Sequence, residues 1–335
     1  MQEFAAPEHS GALALADAEA SADLIREAEL NHRLALDHPG RRFVPVAGAR
    51  WGELILPAPD EAALAPSGGG LRVVLFASFE FGYVVLEAVK AYARMFPGRV
   101  QLVGLVTDDP VNPAARIGLK KRVWHHMDHE EVVAIETAVV EAALCEGVPA
   151  YTGEIKIDGF RVLLDEWRPD AIISCVFGQV IDAWIINRPA YGIYNFHPTD
   201  LAHGFGAGPT PAEDLAARGA TSTVWTIHQV IEAVDAGPVV AVSPAINVVD
   251  LSGALPADPL VLYDKLTEPA GCLGAHLVEA LAKRFAAGTP GPVDALEVAN
   301  SIPAAVLARM AAPIGTKQHV TTLPTYDPAQ LAPFC

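Results

Sequence analysis

Tyr194-Asn195-Phe196-His197-Pro198-Thr199-Asp200-Leu201 sets a carboxamide and an imidazole two residues apart, and Val234-Asp235-Ala236-Gly237-Pro238 adds a carboxylate further along the chain. On a strand, side chains repeat every second residue, so Asn195 and His197 point to the same side, and Pro198, which has no ladder donor, ends the strand. Asp235, in a turn closed by Gly237-Pro238, can bend back toward the imidazole from a separate loop. Acyl transfer to an amine would use all three. Its tetrahedral intermediate carries a negative oxygen while the attacking nitrogen must lose a proton. Asn195 could donate to the oxygen, and His197 could stabilise it when protonated and move protons when neutral. Asp235 would orient the imidazole and favour its charged form. No serine or cysteine nucleophile is needed.

The elements that must hold these groups emerge from residue 71 onward, where short β-branched runs alternate with longer amphipathic stretches. That alternation predicts an α/β fold with a mostly parallel sheet flanked by helices. Strands are expected at 71–77, 100–107, 149–151, 171–176 and 192–195, the last running on into His197, and helices at 83–95, 130–146, 159–167 and 259–284. Segments 223–231 and 238–248 read as a further β-rich pair. An open sheet of this kind takes ligands beyond the carboxyl ends of its strands, which directs attention to the residues after Val106, Val176 and Tyr194. Residues 1–70 differ in composition: an Ala/Glu-rich helical stretch at 13–36, turns, and the glycine run Ser67-Gly68-Gly69-Gly70, read as an N-terminal extension and linker. The extension is expected to be an accessory helix and hairpin without chemistry. A catalytic unit over 71–288 and a Pro-rich tail over 289–335, wrapping loosely, complete the expected organisation.

The motif residues resemble those of the folate-dependent formyltransferases, which move a formyl group from 10-formyltetrahydrofolate to an amine. That family's pattern runs Asn-x-His-Pro-Ser-x-Leu, a Gly-containing loop, x-Thr-x-His and Asp-x-Gly-Pro. This chain has Asn195, His197, Pro198, Thr199 and Leu201, then Gly208-Pro209, Thr226 with His228, and Asp235 with Gly237-Pro238. The resemblance covers roughly residues 71–284 and implies a Rossmann-like formyltransferase fold with Asn195, His197 and Asp235 as the catalytic trio. It also implies 10-formyltetrahydrofolate as co-substrate, with the pterin held by Phe177, Gly178, Gln179, Val180, Ile181 and Val234. Backbone groups would read the pterin edge and the apolar side chains would wall it. Glu80, Thr199 and His203 are expected on the acceptor side, and no metal is expected.

Departures from the family pattern bear on the acceptor. Thr199 replaces the usual serine but keeps its hydroxyl. Ala202-His203-Gly204-Phe205-Gly206 stands where many members have Tyr-Arg-Gly, and the turn Ser78-Phe79-Glu80-Phe81-Gly82 lacks a phosphate-cradling form. Glycinamide ribonucleotide is therefore a poor expectation. Initiator tRNA is another, because members acting on it carry a further C-terminal β-barrel that the last fifty residues are not expected to supply. A formal charge of −17 also argues against a nucleic-acid partner. The expected acceptor is a small-molecule amine; Thr107-Asp108-Asp109-Pro110, similar to the matching turn in the sugar-nucleotide and tRNA branches, favours a larger one.

Four widely spaced cysteines, no signal-like start and no span-length apolar run lead to a cytoplasmic expectation without membrane contact. Assembly into a homo-oligomer stays open. His125, His126 and His129 invite a metal reading, but His126 occupies the place of the glutamate in His-Glu-x-x-His, so a solvated helix start or acceptor lining is preferred. His228 either lines the pocket or hydrogen-bonds within the sheet, and the second role is expected. Two alternatives keep the same residues: a 10-formyltetrahydrofolate hydrolase that releases formate, and a non-catalytic folate-binding or interaction module.

Overall fold

The computed structural model describes residues 31, 33–35, 38–50, 52–65, 68–107, 127–207, 211–298, 302–315, 323 and 326–334. The 13–30 part of the expected N-terminal helix, Gly208-Pro209, Asp108-Asp109-Pro110, His125 and His126 lie outside them, as does the side chain of His129.

Five parallel strands form the centre of a sheet: β3 (Leu71–Ala77), β4 (Val100–Thr107), β5 (Ala150–Thr152), β6 (Ala171–Cys175) and β7 (Ile193–His197), in the order β5-β4-β3-β6-β7. They are parallel because helices carry the chain back between them: α2 (Phe79–Met95), α3 (His129–Leu144) and α4 (Asp158–Trp167), with a short α5 (Ala183–Ile186) before β7. Strand order reverses at β3, so the crevice at the carboxyl ends of β3 and β6 is where such a sheet takes its ligand.

Antiparallel strands extend both edges. On one side β1 (Arg42–Val44) and β2 (Leu54–Leu56) form a hairpin whose second strand pairs with β5. On the other, β9 (Thr226–Gln229) pairs with β7 and β10 (Val239–Val242) with β9, giving a nine-stranded sheet among the described residues. A separate pair, β8 (Ser222–Thr223) with β11 (Ile246–Asn247), lies outside it.

Strand alternation sorts the core into two faces. Leu71, Val73, Leu75 and Ala77 join Ala171, Ile173, Cys175, Tyr194 and Phe196 beneath α2 and the long α7 (Pro259–Ala286), which follows α6 (Pro211–Arg218). Val74, Phe76, Ile172 and Ile193 pack with Phe160, Leu164 and Trp167 of α4 on the other face. Gly82 lets α2 start tight against the strand end: a Cβ there would stand 3.0 Å from the Ala77 carbonyl carbon. The tail packs more firmly than its proline content predicts. Its helix α8 (Ala304–Ala311) buries Val306 and Met310, and Val293, Val298, Ile302 and Leu331 are also buried, because apolar side chains between the prolines reach the main core. No helix among the described residues is long and apolar enough to cross a membrane.

The hairpin is fastened by a buried arginine. Arg41 has no exposed side-chain surface; its Nε donates to Glu61 Oε2 at 3.0 Å and its Nη2 to Glu141 Oε1 at 2.7 Å, with further guanidinium bonds to both carboxylates. Glu61 belongs to α1 (Pro59–Ala62) and also accepts from the Ala58 backbone at 2.8 Å. Burial opposes ionisation of both acids, but the Arg41 bonds win and hold both carboxyls below their ordinary range. Removing one member of a buried pair strands the other charges. Arg41→Met is therefore expected to lower the unfolding free energy by about 3 kcal/mol in urea titrations at pH 7. Because folded carboxyls of lowered pKa stabilise above about pH 4.5 and lose that contribution as they protonate, the gap between wild type and variant should narrow in acid. Equal urea midpoints at pH 7 would contradict the clamp.

Candidate active site

Register builds the site. Ser174 of β6 sits beside Asn195 of β7, and Asn195 sits opposite His228 of β9, so the three side chains form a row across one face of the sheet. His197 is one pleat further along, opposite Thr226. The loop after β9 then returns Asp235 to the end of this row. Asp235 has φ +52°, a left-handed backbone that an aspartate tolerates better than most residues.

The hydrogen bonds assign the roles of the ring nitrogens. His228 Nδ1 donates to the Gln229 carbonyl at 2.9 Å, which leaves Nε2 to accept from Asn195 Nδ2 at 3.2 Å. The carboxamide is thereby turned with its NH₂ toward Asp235, whose Oδ1 lies 3.5 Å away. His197 Nε2 donates to the Gly206 carbonyl at 2.6 Å, so Nδ1 is the ring nitrogen turned toward Asp235, facing its Oδ2 at 3.8 Å. Sequence reasoning preferred a sheet role for His228; the structure gives it both a backbone bond and a place in the pocket. The Thr226-x-His228 motif carried that signal.

His197 is 7% exposed. Burial pushes its pKa down, the carboxylate of Asp235 and the Gly206 bond oppose the shift, nearby His228 adds to it, and the net direction is downward.

A cleft opens beside the row. It encloses about 540 Å³ including its mouth, and its lining includes Ser174, Asn195, His228 and Asp235 with Phe177, Gly178, Gln179, Val180 and Ile181 from the turn after β6. Val230, Ile231 and Val234 form the facing wall. The turn starts under strain: Val176 has φ +54°, a conformation that a β-branched residue rarely adopts. Phe177 packs against Phe76 with ring centroids 4.8 Å apart and the ring planes tilted by 50°. Gln179 spends its side chain inward, donating to the Gly153 carbonyl at 2.8 Å and accepting from the Ile155 amide at 3.1 Å.

All six residues expected to hold a pterin and two of the expected trio, Asn195 and Asp235, thus line one cleft, with His197 immediately behind them. The three expected on the acceptor side do not line it. Glu80 is buried in the first turn of α2. Thr199 is fully buried, its hydroxyl directed to the Phe205 and Gly206 carbonyls at 3.1 Å, so it holds the carbonyl that holds His197. His203 projects into solvent, paired with Asp200 at 2.8 Å. Among the described residues one group could in composition hold a metal, His38 with Glu61 and Glu141, but both carboxylates already grip Arg41.

Residues 129–251 match the formyl transferase family model. Over these residues the chain is similar to that family. Relatives include proteins named methionyl-tRNA formyltransferase from Roseiflexus castenholzii, 28% identical over 67% of this chain and 62% of the relative, and from Deinococcus radiodurans, 30% identical over 56% and 54%. The chain therefore spans about three fifths of the length of the first of these relatives. Among solved structures, a phosphoribosylglycinamide formyltransferase from Anaplasma phagocytophilum aligns with a TM-score of 0.46 at 17% identity, over 64% of this chain and 87% of that one. The family match includes β6, β7, β9 and the Asp235 loop, the segments that carry the row and the cleft.

The lowered pKa of His197 has a sign that can be checked. An imidazole that resists protonation when folded stabilises the fold above its unfolded pKa of about 6.5, and that contribution is lost as pH falls. The melting temperature of the wild type should drop more between pH 7 and pH 5 than that of His197→Asn, as read by calorimetry. Parallel curves would contradict the assignment.

Proposed function

We propose that this chain transfers a formyl group from 10-formyltetrahydrofolate to the amine of a small-molecule acceptor. The observation that carries this reading is the convergence of Asn195, His197, His228 and Asp235 at the edge of a cleft with apolar walls. Phe177, Val180, Ile181 and Val234 suit a flat heteroaromatic ring, and main-chain groups of 177–181 and 231–234 can read its polar edge.

In the proposed step the acceptor nitrogen attacks the formyl carbon, a C–N bond forms, and the carbonyl oxygen becomes negative. Asn195 Nδ2 donates to that oxygen with the hydrogen it otherwise aims at Asp235. His197, protonated at Nδ1, supplies the second donor, and Asp235 stabilises the imidazolium. Collapse of the intermediate breaks the bond to the folate N10, which takes up a proton while the acceptor nitrogen loses one. His228 acts on Asn195, fixing which way the amide points.

Charge favours a small acceptor over a polyanion. The chain carries −17 overall; on the loop next to His197, His203 is paired with Asp200, and Arg218 of α6, 4.3 Å over the Phe205 ring, is paired with Asp214 at 2.7 Å.

The test is incubation with 10-formyltetrahydrofolate and a panel of amines, following tetrahydrofolate release. Release that depends on an amine supports transfer. Equal release without one identifies a hydrolase, faster transfer to aminoacylated tRNA overturns the small acceptor, and binding without turnover identifies a folate-binding module. Asn195→Ala, His197→Ala and Asp235→Asn are each expected to lower kcat/KM about 10²- to 10⁴-fold with the fold retained by circular dichroism.

A further inference from the structure

The N-terminal hairpin reaches the cleft through one short segment. Residues 152–155, starting at the last residue of β5, are held from two sides. On the hairpin side, the Arg50 amide donates to Glu154 Oε2 at 3.0 Å and Arg50 Nε donates to Glu154 Oε1 at 3.0 Å. The Thr152 amide donates to the Glu53 carbonyl at 3.0 Å, and the Glu53 amide donates to Thr152 Oγ1 at 3.3 Å. Gly52 makes this approach possible: at φ +77°, a Cβ would stand 1.7 Å from the Thr152 carbonyl oxygen. On the cleft side, the carboxamide of Gln179 spans the same segment, bonded to the Gly153 carbonyl and the Ile155 amide. Tyr151 adds a bond to the Glu154 carbonyl at 2.9 Å.

We propose that the hairpin is a positioning part of the donor cleft, acting through Arg50, Glu154 and Gln179 to fix the wall formed by residues 177–181. The proposal rests on the formyl-folate reading of that cleft. The turn it steadies needs support, because it begins at the strained Val176. Gln179 cannot brace that turn unless Gly153 and Ile155 keep their places, and on the far side those places are set by the hairpin. Glu154 supplies the rigid link: its carboxylate binds both the backbone and the guanidinium of Arg50, which orients it more narrowly than a side-chain pair alone. The Arg50 guanidinium is mostly exposed, so its loss should leave the core intact.

The test uses the full chain and 5-formyltetrahydrofolate, a stable isomer of the donor, as the binding probe. Arg50→Ala and Gln179→Leu are each expected to weaken probe binding and raise the donor KM about three- to tenfold, the effect of losing one positioned polar contact. Arg50→Ala should leave kcat within about twofold and the acceptor KM unchanged, and Arg50→Lys should recover part of the loss. A general loss of stability would not separate the two KM values. The double variant Arg50→Ala/Gln179→Leu should bind the probe no worse than Gln179→Leu alone, since both act through one segment. Unchanged probe binding in Arg50→Ala, or losses that add in the double variant, would overturn the proposal while leaving the donor reading standing. A wild-type protein that takes up no 5-formyltetrahydrofolate and turns over no donor would overturn both.

Discussion

The antiparallel pairing of β7 with β9 is the constraint on which the site depends. It sets Asn195 against His228 and His197 against Thr226, and side chains directly opposite one another in such a pair share a face. A slip of one residue would send Asn195 and His228 to opposite faces and bring Tyr194 and Phe196, which belong to the apolar core, into the cleft. Burial of those two aromatics on one face therefore fixes the polar row on the other. Pro198 stops the strand where the row ends, and Thr226 Oγ1 donates to the Thr199 carbonyl at 2.7 Å, locking the first turn beyond it.

From that row the remaining geometry follows by short connections. Thr199, held by Thr226, directs its hydroxyl at the Gly206 carbonyl, and that carbonyl takes the Nε2 proton of His197. Gly206 has φ +64°, and a Cβ there would stand 2.6 Å from Thr199 Cγ2, so this contact leaves room for glycine alone. The tautomer of the imidazole is thus decided by a threonine and a glycine that do not line the cleft.

Sequence reading reached the parts of this arrangement that local pattern encodes. β3 and β4 run over the expected residues because central parallel strands read as near-continuous apolar runs bounded by polar or glycine positions. The Asn195/His197 alternation was equally legible. Helix α2 begins at Phe79, ahead of the expected 83, since Gly82 looks like a break in sequence but serves close packing on Ala77. The pocket role of His228 depends on register between strands about thirty residues apart, which no local period encodes. The same limit explains Thr199, whose hydroxyl was expected to face an acceptor, and Arg41, a single arginine whose burial follows from two acids far off in the chain.

The electrostatics of His197 turn on a competition between distance and burial. Asp235 at 3.8 Å is too far for a short charge-assisted bond, so loss of hydration outweighs the carboxylate and holds the imidazole below its ordinary range. Coulomb attraction at fixed separation grows as the local dielectric falls. A ring seated between Phe177, Val180 and Val234 would exclude water from the side of the cleft that Asp235 faces, strengthening its pull on an imidazolium, and a developing oxyanion would add a second negative partner. In the proposed reaction the imidazolium would thus gain most of its stabilisation from the negative oxygen it is meant to meet, while burial alone works against it.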